Sequence, residues 1–413
     1  MDLTIDIAIL SGELAALARF SSSEPPGVTR VLWSAADMAA RAFVRERCTA
    51  TGLDLREDGL GNLFARWAGS APELPAVASG SHIDAIPDSG IYDGTVGVLG
   101  ALEAIRALQR AGARPRRSIE LLLFTAEEPT RFGVGCLGSR ALSGALGPEA
   151  LLALRDTEGQ GLDALRAAVG YTGDLSALRL GQGHYHSFVE LHIEQGPLLE
   201  AEDRPIGAVR AIAAPASLRL RLTGAGGHAG AVLMPGRRDA LLAGAEIALA
   251  VERAALASGS PDSVATTGLF RIEPGAVNSI PSRATLEIDV RDVALAPRDR
   301  VVAAIRNATE AICACRTIDY TIELINADPP ADCDPGVVTV IETACTELGL
   351  ACRPMVSRAY HDSLFMARVC PVAMIFIPCR GGVSHRPDEY AAPEAIERGV
   401  RVLARTLAQL SMH

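Results

Sequence analysis

The strongest constraint on the fold is the alternation of short apolar segments with helical stretches in the first half of the chain. One stretch, DGTVGVLGALEAIRALQRAG, keeps helical spacing, with Val98, Leu102, Ile105 and Leu108 on one face. Strands and crossover helices in this order are typical of an α/β sheet. The segments that we interpret as strands are LPAVASGSHID, RRSIELLLFTAEE, SFVELHIEQG and, near the end of the chain, PVAMIFIPC, which a closing helix follows from about Pro393.

A block of different character interrupts this alternation. Residues 211–327 read as strand, helix, strand, strand, helix and strand. That βαββαβ order matches the ferredoxin-like module. A chain of 413 residues also exceeds the size of one ordinary domain. We therefore predict two domains: a discontinuous one formed by residues 1–210 and 328–413, and an inserted one formed by residues 211–327.

Composition disfavours several classes of partner. The chain has 39 basic and 49 acidic residues, a formal net charge of −10. This charge, without a basic run, argues against nucleic acid and anionic lipid as partners. No apolar stretch is long enough for a transmembrane helix. The first twenty residues carry Asp2, Asp6 and Glu13 and no basic segment, so we expect an amphipathic helix there and not a signal peptide. Nine scattered cysteines without a CxxC pair predict reduced thiols and a cytoplasmic location.

Histidine or carboxylate side chains follow four of the apolar strands. In open α/β sheets, ligands gather at the carboxyl ends of the strands. Imidazole nitrogens and carboxylate oxygens that meet there suit divalent metals of borderline softness. The residues in question are His82 with Asp84, Glu127 with Glu128, His192 and His385, and Asp93 stands at the N-cap position of a following helix.

Each of these residues also has a simpler interpretation. A single histidine at a strand end is more often a structural hydrogen-bonding group, and adjacent glutamates are common on solvated surfaces. The combination favours a metal site, in which Asp93 is best placed to bridge two ions. Asp84 could then hydrogen-bond the far nitrogen of His82. One glutamate of the pair could bind metal while the other acts as general base. We interpret His184, His186 and His413 as surface residues.

Six motifs together identify a family resemblance: GSHID with YDG, TAEEPTRFG, LHIEQGP, GGHAG, VNSIPSRATLEIDVRD and GVSHRPDEY. They resemble those of the peptidase M20-type metal-dependent amidohydrolases, in the hydantoinase/carbamoylase branch. The resemblance runs from about Thr29 to the last helix. It implies an α/β catalytic domain with a mixed sheet and a bimetal site, and an inserted ferredoxin-like domain that serves as lid and dimerisation module.

The resemblance also implies roles for the strand-end residues. His82 and His192 would bind one ion, Glu128 and His385 the other, and Asp93 would bridge both. Glu127 corresponds to the general base of the family. Manganese is the preferred expectation for the two divalent ions, with zinc, cobalt or nickel as alternatives.

A second set of implied residues lies mainly in the inserted domain. His228 matches a histidine that reaches the active site of the partner subunit in a homodimer and stabilises the oxyanion. Asn278 and Arg291 match positions that bind the substrate carboxylate, and Gln195 and His361 match positions that line the site. Without the resemblance, the favoured interpretation of His228 is a loop histidine, and the sequence alone also allows Arg291 to be an exposed charge at a strand end.

Three stretches narrow the substrate: SGSHIDAIPDSGIYDG, AIAAPASL with GGHAGAVLMP, and SRAYHDSLFMAR with MIFIPC. They are most similar to ureidoglycolate amidohydrolases. Tyr360 stands where carbamoylases typically have a glycine and would fill space that a larger amino-acid side chain needs, which favours a small polar ureido acid. The alternative is that Tyr360 packs away from the site. The expected reaction converts (S)-ureidoglycolate to glyoxylate, ammonia and carbon dioxide. Hydrolysis of N-carbamoyl-L-amino acids, allantoate or N-carbamoyl-β-alanine is the alternative, and a metal-free binding protein on the same fold is a second one.

Overall fold

The computed structural model describes residues 3–412, which form two compact units. The first unit contains residues 3–210, 332–355 and 361–412, and the second contains residues 211–331 and 356–360. The sequence predicted that the inserted segment would end at residue 327. In the structure the second unit extends to residue 331 and also takes up five residues from the C-terminal part of the chain.

The secondary structure alternates as the sequence predicts. The helices are α1 Ile7–Ala18, α2 Ala35–Ala50, α3 Thr95–Arg110, α4 Leu137–Ser143, α5 Pro148–Ala153, α6 Leu162–Ala168, α7 Leu198–Ala201, α8 Ala240–Leu256, α9 Leu295–Arg316, α10 Pro335–Glu347, α11 Asp362–Met366 and α12 Pro393–Met412. The strands are β1 Val28–Arg30, β2 Asp54–Glu57, β3 Leu63–Trp67, β4 Ala76–Ser81, β5 Ala85–Ser89, β6 Ile119–Leu123, β7 Tyr185–Ile193, β8 Ile206–Ile212, β9 Ala214–Thr223, β10 Gly227–His228, β11 Val264–Glu273, β12 Ser279–Ile280, β13 Arg283–Asp292, β14 Asp319–Ala327, β15 Ala331–Asp332, β16 Cys352–Ser357 and β17 Val372–Ile377.

A mixed sheet forms the centre of the first unit. Its strands follow the order β15-β8-β17-β7-β4-β6-β3-β2, and β16 pairs with β8. Strands β17, β7, β4 and β6 run parallel, whereas β3, β2 and β8 pair antiparallel with their neighbours. The four parallel strands are almost wholly buried, as expected for strands covered by helices on both faces. The predicted α/β class with a mixed sheet is therefore confirmed.

The parallel strands bring their carboxyl ends to one edge of this sheet. His82 follows β4 directly, and His192 is the penultimate residue of β7. Glu127 and Glu128 follow β6 after a short turn, and the loop after β17 carries His385. Four separate chain segments thus deliver the predicted metal-binding side chains to one place.

The expected helix cap at Asp93 is wrong. Helix α3 begins at Thr95, and Gly94, with φ +65°, occupies the cap position without any side-chain hydrogen bond to the first turn. The Asp93 carboxylate faces three histidines of the candidate site, so it is not available to the helix amides. The predicted N-terminal helix is present as α1, although Asp2 lies outside the described residues.

The second unit has the predicted βαββαβ element order. Its antiparallel sheet follows the order β11-β13-β9-β14, and helices α8 and α9 pack against it. Alternate residues of β13 are buried, which gives the sheet one apolar face. The core contains Leu218, Leu220, Ile247, Leu286 and Ile305.

None of the described helices is long and apolar enough to cross a membrane. The nine cysteines are free thiols. His184 is exposed, His186 is half-buried, and His413 lies outside the described residues.

Candidate metal centre and active site

The first group of potential ligands contains His82, Asp93 and His192, all of them buried. Asp93 Oδ1 lies 3.5 Å from His82 Nε2 and 3.3 Å from His192 Nε2. The amide of Gly94 also approaches His192 Nε2, at 3.2 Å. Two imidazole nitrogens and one carboxylate oxygen therefore converge on one point at the edge of the sheet.

The second group contains Asp93, Glu128 and His385. His385 Nε2 lies 3.3 Å from Asp93 Oδ2 and 3.2 Å from Glu128 Oε1. The side chain of His385 is 46% exposed, so this group is open to solvent on one side. Asp93 contributes one oxygen to each group, which is the arrangement that a bridging ligand requires.

The donor atoms fit divalent ions in both spacing and chemistry. Ligand atoms about 2.0–2.1 Å from a tetrahedral ion lie roughly 3.3 Å from one another. The three histidine contacts to Asp93 and the contact of His385 to Glu128, from 3.2 to 3.5 Å, agree with that spacing. The Nδ1 atoms of His82 and His192 lie 3.1 and 2.9 Å from main-chain carbonyl oxygens. An Nδ1–H that donates to a carbonyl leaves the Nε2 lone pair for a metal ion.

Asp84 holds the turn that carries the two glutamates. Its carboxylate accepts hydrogen bonds from the amides of Glu127, at 3.2 Å, and Glu128, at 3.0 Å. The far nitrogen of His82 lies closer to the main-chain oxygen of Asp84, at 3.1 Å, than to its carboxylate, at 3.6 Å. One aspartate thus links the β4 end of the site to the turn after β6.

Glu127 stands beside the two ligand groups without belonging to either. Its Oε2 lies 3.8 Å from His82 Nε2, and the thiol of Cys136 lies 3.5 Å from Oε1. Burial, together with the negative charges of Glu128, Asp362 and Asp93, raises the pKa of Glu127 well above its usual value, although His82 opposes the rise. A carboxyl group with a raised pKa next to potential metal ligands is suited to proton exchange during catalysis.

The carboxylates and histidines of the cluster shift one another's pKa values. Burial lowers the pKa of His82, but Glu127, Asp84 and Asp93 raise it by more, so it lies well above the usual value. Hydrogen bonds to Asp93 and Glu128 raise the pKa of His385 to about 11. Burial disfavours ionisation of Asp93, yet its three histidine partners hold its pKa well below the usual value. Divalent ions would replace protons on these groups, because metal ligands must be deprotonated.

A second layer of buried polar side chains supports His192. The ring of His361 packs against that of His192 at 4.5 Å between centroids, and Glu190 is close to both. Glu190 accepts hydrogen bonds from the hydroxyls of Ser81, at 2.7 Å, and Ser363, at 2.6 Å. No role was predicted for Glu190 from the sequence. The signal was its spacing of two residues from His192 in a strand, which places both side chains on one face.

Gln195 donates to Asp93 Oδ2 at 2.7 Å, so this predicted site-lining residue contacts the shared ligand. Gln195 has a left-handed backbone, with φ +57°, as do His385, with φ +59°, and Ala126, with φ +53°. Such conformations cost about 1–3 kcal/mol each in residues other than glycine and concentrate at functional sites. Sequence periodicity carries no signal for them.

The remaining predicted residues lie in the second unit. His228 is exposed on the β10–β12 ribbon, where the amide of Ala229 donates to the carbonyl of Asn278 at 2.8 Å. Arg291 Nε donates to Asp289 at 2.7 Å, and its guanidinium carbon lies 5.6 Å from the centre of the Tyr360 ring. The structure therefore forms two neighbourhoods in this unit, one with His228 and Asn278 and one with Arg291 and Tyr360.

Known proteins resemble the chain over nearly its whole length. Residues 78–409 match the sequence model of peptidase family M20/M25/M40. The chain is 52% identical to the ureidoglycolate hydrolase of Arabidopsis thaliana, with 99% of this chain and 88% of that protein covered. It is 34% identical to the N-carbamoyl-L-amino-acid amidohydrolase of Pseudomonas sp. (strain NS671), with 95% of each covered. The solved crystal structure of AtUAH in complex with (S)-hydroxyglycine is 50% identical, has a TM-score of 0.93, and covers 99% of this chain and 98% of its own.

Proposed function

Because the chain belongs to peptidase family M20/M25/M40, we propose that it is a metal-dependent amidohydrolase that hydrolyses the C–N bond of a ureido acid, with (S)-ureidoglycolate as the first candidate substrate. The observation that carries the proposal is the sharing of Asp93 between two ligand groups, with the buried carboxyl of Glu127 beside them. Similarity to ureidoglycolate hydrolase over 99% of the chain supports the choice of substrate.

Five side chains would hold two divalent ions in this proposal: His82 and His192 on one side, Glu128 and His385 on the other, and Asp93 between them. The bound ions would polarise the ureido carbonyl and acidify the attacking water. The mixed set of imidazole nitrogens and carboxylate oxygens suits manganese, the first choice, and also zinc, cobalt or nickel.

Glu127 acts as the proton carrier in this proposal. Its carboxylate takes the proton from the attacking water and returns it to the leaving nitrogen. With ureidoglycolate, hydrolysis gives a carbamate that decomposes to ammonia and carbon dioxide. The other product, hydroxyglycine, loses ammonia to give glyoxylate. One ureidoglycolate and one water thus yield glyoxylate, carbon dioxide and two molecules of ammonia.

We propose that the second unit supplies the remaining contacts to substrate as a lid and as the dimerisation module. The planar fork of Arg291 suits a carboxylate, and Asn278 would bind the same group. His228 would stabilise the developing oxyanion in the site of the partner subunit of a homodimer. Most large apolar side chains that are exposed among the described residues lie in this unit, for example Leu233, Met234, Leu256 and Val277, which supports its role in association.

The cytoplasm is the proposed location, because nine free thiols suit a reducing compartment.

The competing substrate class is the N-carbamoyl-L-amino acids. The Pseudomonas relative is named for hydrolysis of these compounds, and its similarity extends over 95% of this chain. Tyr360 distinguishes the two classes in our proposal, because its ring near Arg291 would fill the space that a larger amino-acid side chain needs.

The test is ammonia and glyoxylate release by the Mn²⁺-loaded protein from (S)-ureidoglycolate, allantoate, N-carbamoyl-β-alanine and several N-carbamoyl-L-amino acids. We expect kcat/KM for ureidoglycolate to exceed the others by about tenfold or more, and chelator to abolish turnover. Tyr360→Gly should raise kcat/KM for bulky carbamoyl amino acids selectively. Preference of the unchanged protein for carbamoyl amino acids would contradict the proposed substrate and leave the metal chemistry in place.

A further inference from the structure

Glu389 is a buried carboxylate outside both ligand groups, in the loop between His385 and helix α12. Its Oε1 accepts hydrogen bonds from the amides of Tyr92, at 2.9 Å, and Asp93, at 3.1 Å, almost 300 residues away in the sequence. The side chain therefore joins the loop that carries Asp93 to the loop that carries His385.

The second oxygen of Glu389 makes the same connection through a hydroxyl group. Ser384 Oγ lies 2.8 Å from Glu389 Oε2 and 2.8 Å from Asp93 Oδ2. Ser384 is also the residue before His385 in the chain. The Glu389 carboxylate thus accepts a hydrogen bond from the Asp93 amide and, through the Ser384 hydroxyl, is linked to the Asp93 side chain.

We infer that Glu389 is a positioning residue of the metal centre, which sets the distance between the shared ligand Asp93 and the ligand His385. This inference rests on the proposed metal-dependent function. Because Tyr92, Asp93 and Ser384 already occupy both oxygens of Glu389, the residue acts through its neighbours and is not itself a ligand. Groups that orient metal ligands typically change metal affinity or activity by about 10–100-fold when they are lost.

The packing around Glu389 supports this assignment. A β-carbon at Gly90 would lie 2.3 Å from Glu389 Oε1 and 2.4 Å from Glu389 Cβ, so the loop before Asp93 has room for this side chain only because residue 90 is glycine. The aromatic rings of Tyr92 and Tyr390 also meet edge to face, with centroids 6.0 Å apart. The two loops are therefore in contact at Gly90, which packs against Glu389, and also through the rings of Tyr92 and Tyr390.

The experiment is calorimetric titration of Mn²⁺ into the metal-free full-length protein, its Glu389→Ala and Glu389→Gln variants, and a control. We expect Glu389→Ala to weaken binding by about 10–100-fold. Glu389→Gln should stay close to the wild type, because its amide oxygen can accept both amides and its nitrogen can donate to Ser384. The matched control is Asp388→Ala, which removes an exposed carboxylate from the same loop, where it pairs with the exposed side chain of Arg386.

Wild-type affinity in a folded Glu389→Ala variant would overturn the inference. If Glu389→Ala does not fold, Ser384→Ala decides: it removes the hydroxyl that links Glu389 to the Asp93 carboxylate, and unchanged Mn²⁺ binding would overturn the inference in the same way. The titration also separates the two levels of the account. A wild type that binds no Mn²⁺ contradicts the proposed metal centre itself, whereas wild-type binding with an unaffected Glu389→Ala contradicts only the role of Glu389.

Discussion

Asp93 shows how much of the site depends on a single side chain. Its two oxygens face His82 and His192 on one side and His385 on the other. Gln195 and Ser384 also donate to it, so polar groups from several loops meet on one carboxylate. Any change that moves Asp93 therefore affects both ligand groups at once.

Asp362 provides a test of the charge balance at the residue scale. It is fully buried, and burial together with the charge of Glu190 raises its pKa to about 8. Between about pH 4 and pH 8 the folded protein keeps a proton on this carboxyl that the unfolded chain releases. The folded state thus binds more protons, and its contribution to stability is lost as the pH rises through this range.

We predict that the metal-free protein loses free energy of unfolding between pH 5 and pH 8 and that Asp362→Asn reduces this loss. Asparagine keeps an acceptor for Ser139, which donates to Asp362 Oδ1, and removes the titrating group. Urea unfolding of both proteins at the two pH values measures the effect. An identical pH dependence in the two proteins would show that Asp362 does not titrate in this range.

The convergence of His82, Glu128, His192 and His385, the proposed ligands, could be predicted from the sequence because each ends or follows an apolar strand, and parallel strands end at one edge. Glu389 could not be predicted, since its partners Tyr92 and Asp93 are almost 300 residues away and nothing local marks the pairing. The partners of Asp84 also depend on how the β4 and β6 loops meet, which periodicity does not encode.

At the scale of elements, the start of helix α3 connects backbone conformation to the site. Gly94 has φ +65°, and a β-carbon there would lie 2.4 Å from His82 Nε2. Gly94, the residue before the helix, can therefore adopt a left-handed backbone, and its lack of a side chain leaves space for His82. The sequence placed the cap one residue too early because an aspartate before a helix is normally its cap.

We predict that Gly94→Ala weakens Mn²⁺ binding by about tenfold or more, because the new methyl group displaces His82. The variant should also lose about 1–2 kcal/mol of unfolding free energy from the left-handed backbone alone. Gly112→Ala is the matched control, since Gly112 has φ +69° at the other end of α3 with open space around it. Equal metal binding by the two variants would contradict the role of Gly94.

The fold of the second unit was easier to predict than its contacts. The order of strands and helices predicts a ferredoxin-like unit from the sequence alone, and the structure adds that alternate residues of β13 are buried. The pairing of Arg291 with Asp289 was not predicted, although both side chains lie two residues apart on one strand and share a face. In the proposed role of Arg291, the substrate carboxylate would displace Asp289 from Arg291 or bind beside it.

At the scale of the whole molecule, the proposed homodimer predicts that two inactive variants can restore each other. Glu127→Gln lacks the proposed proton carrier, and His228→Ala lacks the proposed oxyanion donor. If His228 acts in the partner's site, each mixed dimer contains one intact site. Random mixing makes half of the dimers mixed, so co-expression should restore about a quarter of the wild-type activity per subunit.

Co-expression of Glu127→Gln with His385→Ala is the control, because both changes affect the same unit and no mixed dimer has an intact site. Activity equal to this control in the Glu127→Gln and His228→Ala mixture would contradict action of His228 across an interface. Sedimentation of the purified protein should show a dimer in the same samples.

The most direct test of the account combines turnover with metal content for the wild type and Glu127→Gln. Both quantities are measured on the same Mn²⁺-loaded samples. Turnover is ammonia release from (S)-ureidoglycolate, and metal content is the number of manganese ions per subunit, determined by inductively coupled plasma mass spectrometry. We predict that Glu127→Gln holds as much metal as the wild type and turns over about 10²–10⁴-fold more slowly, because only the proton carrier is lost. Near-native turnover by Glu127→Gln with full metal content would contradict the account.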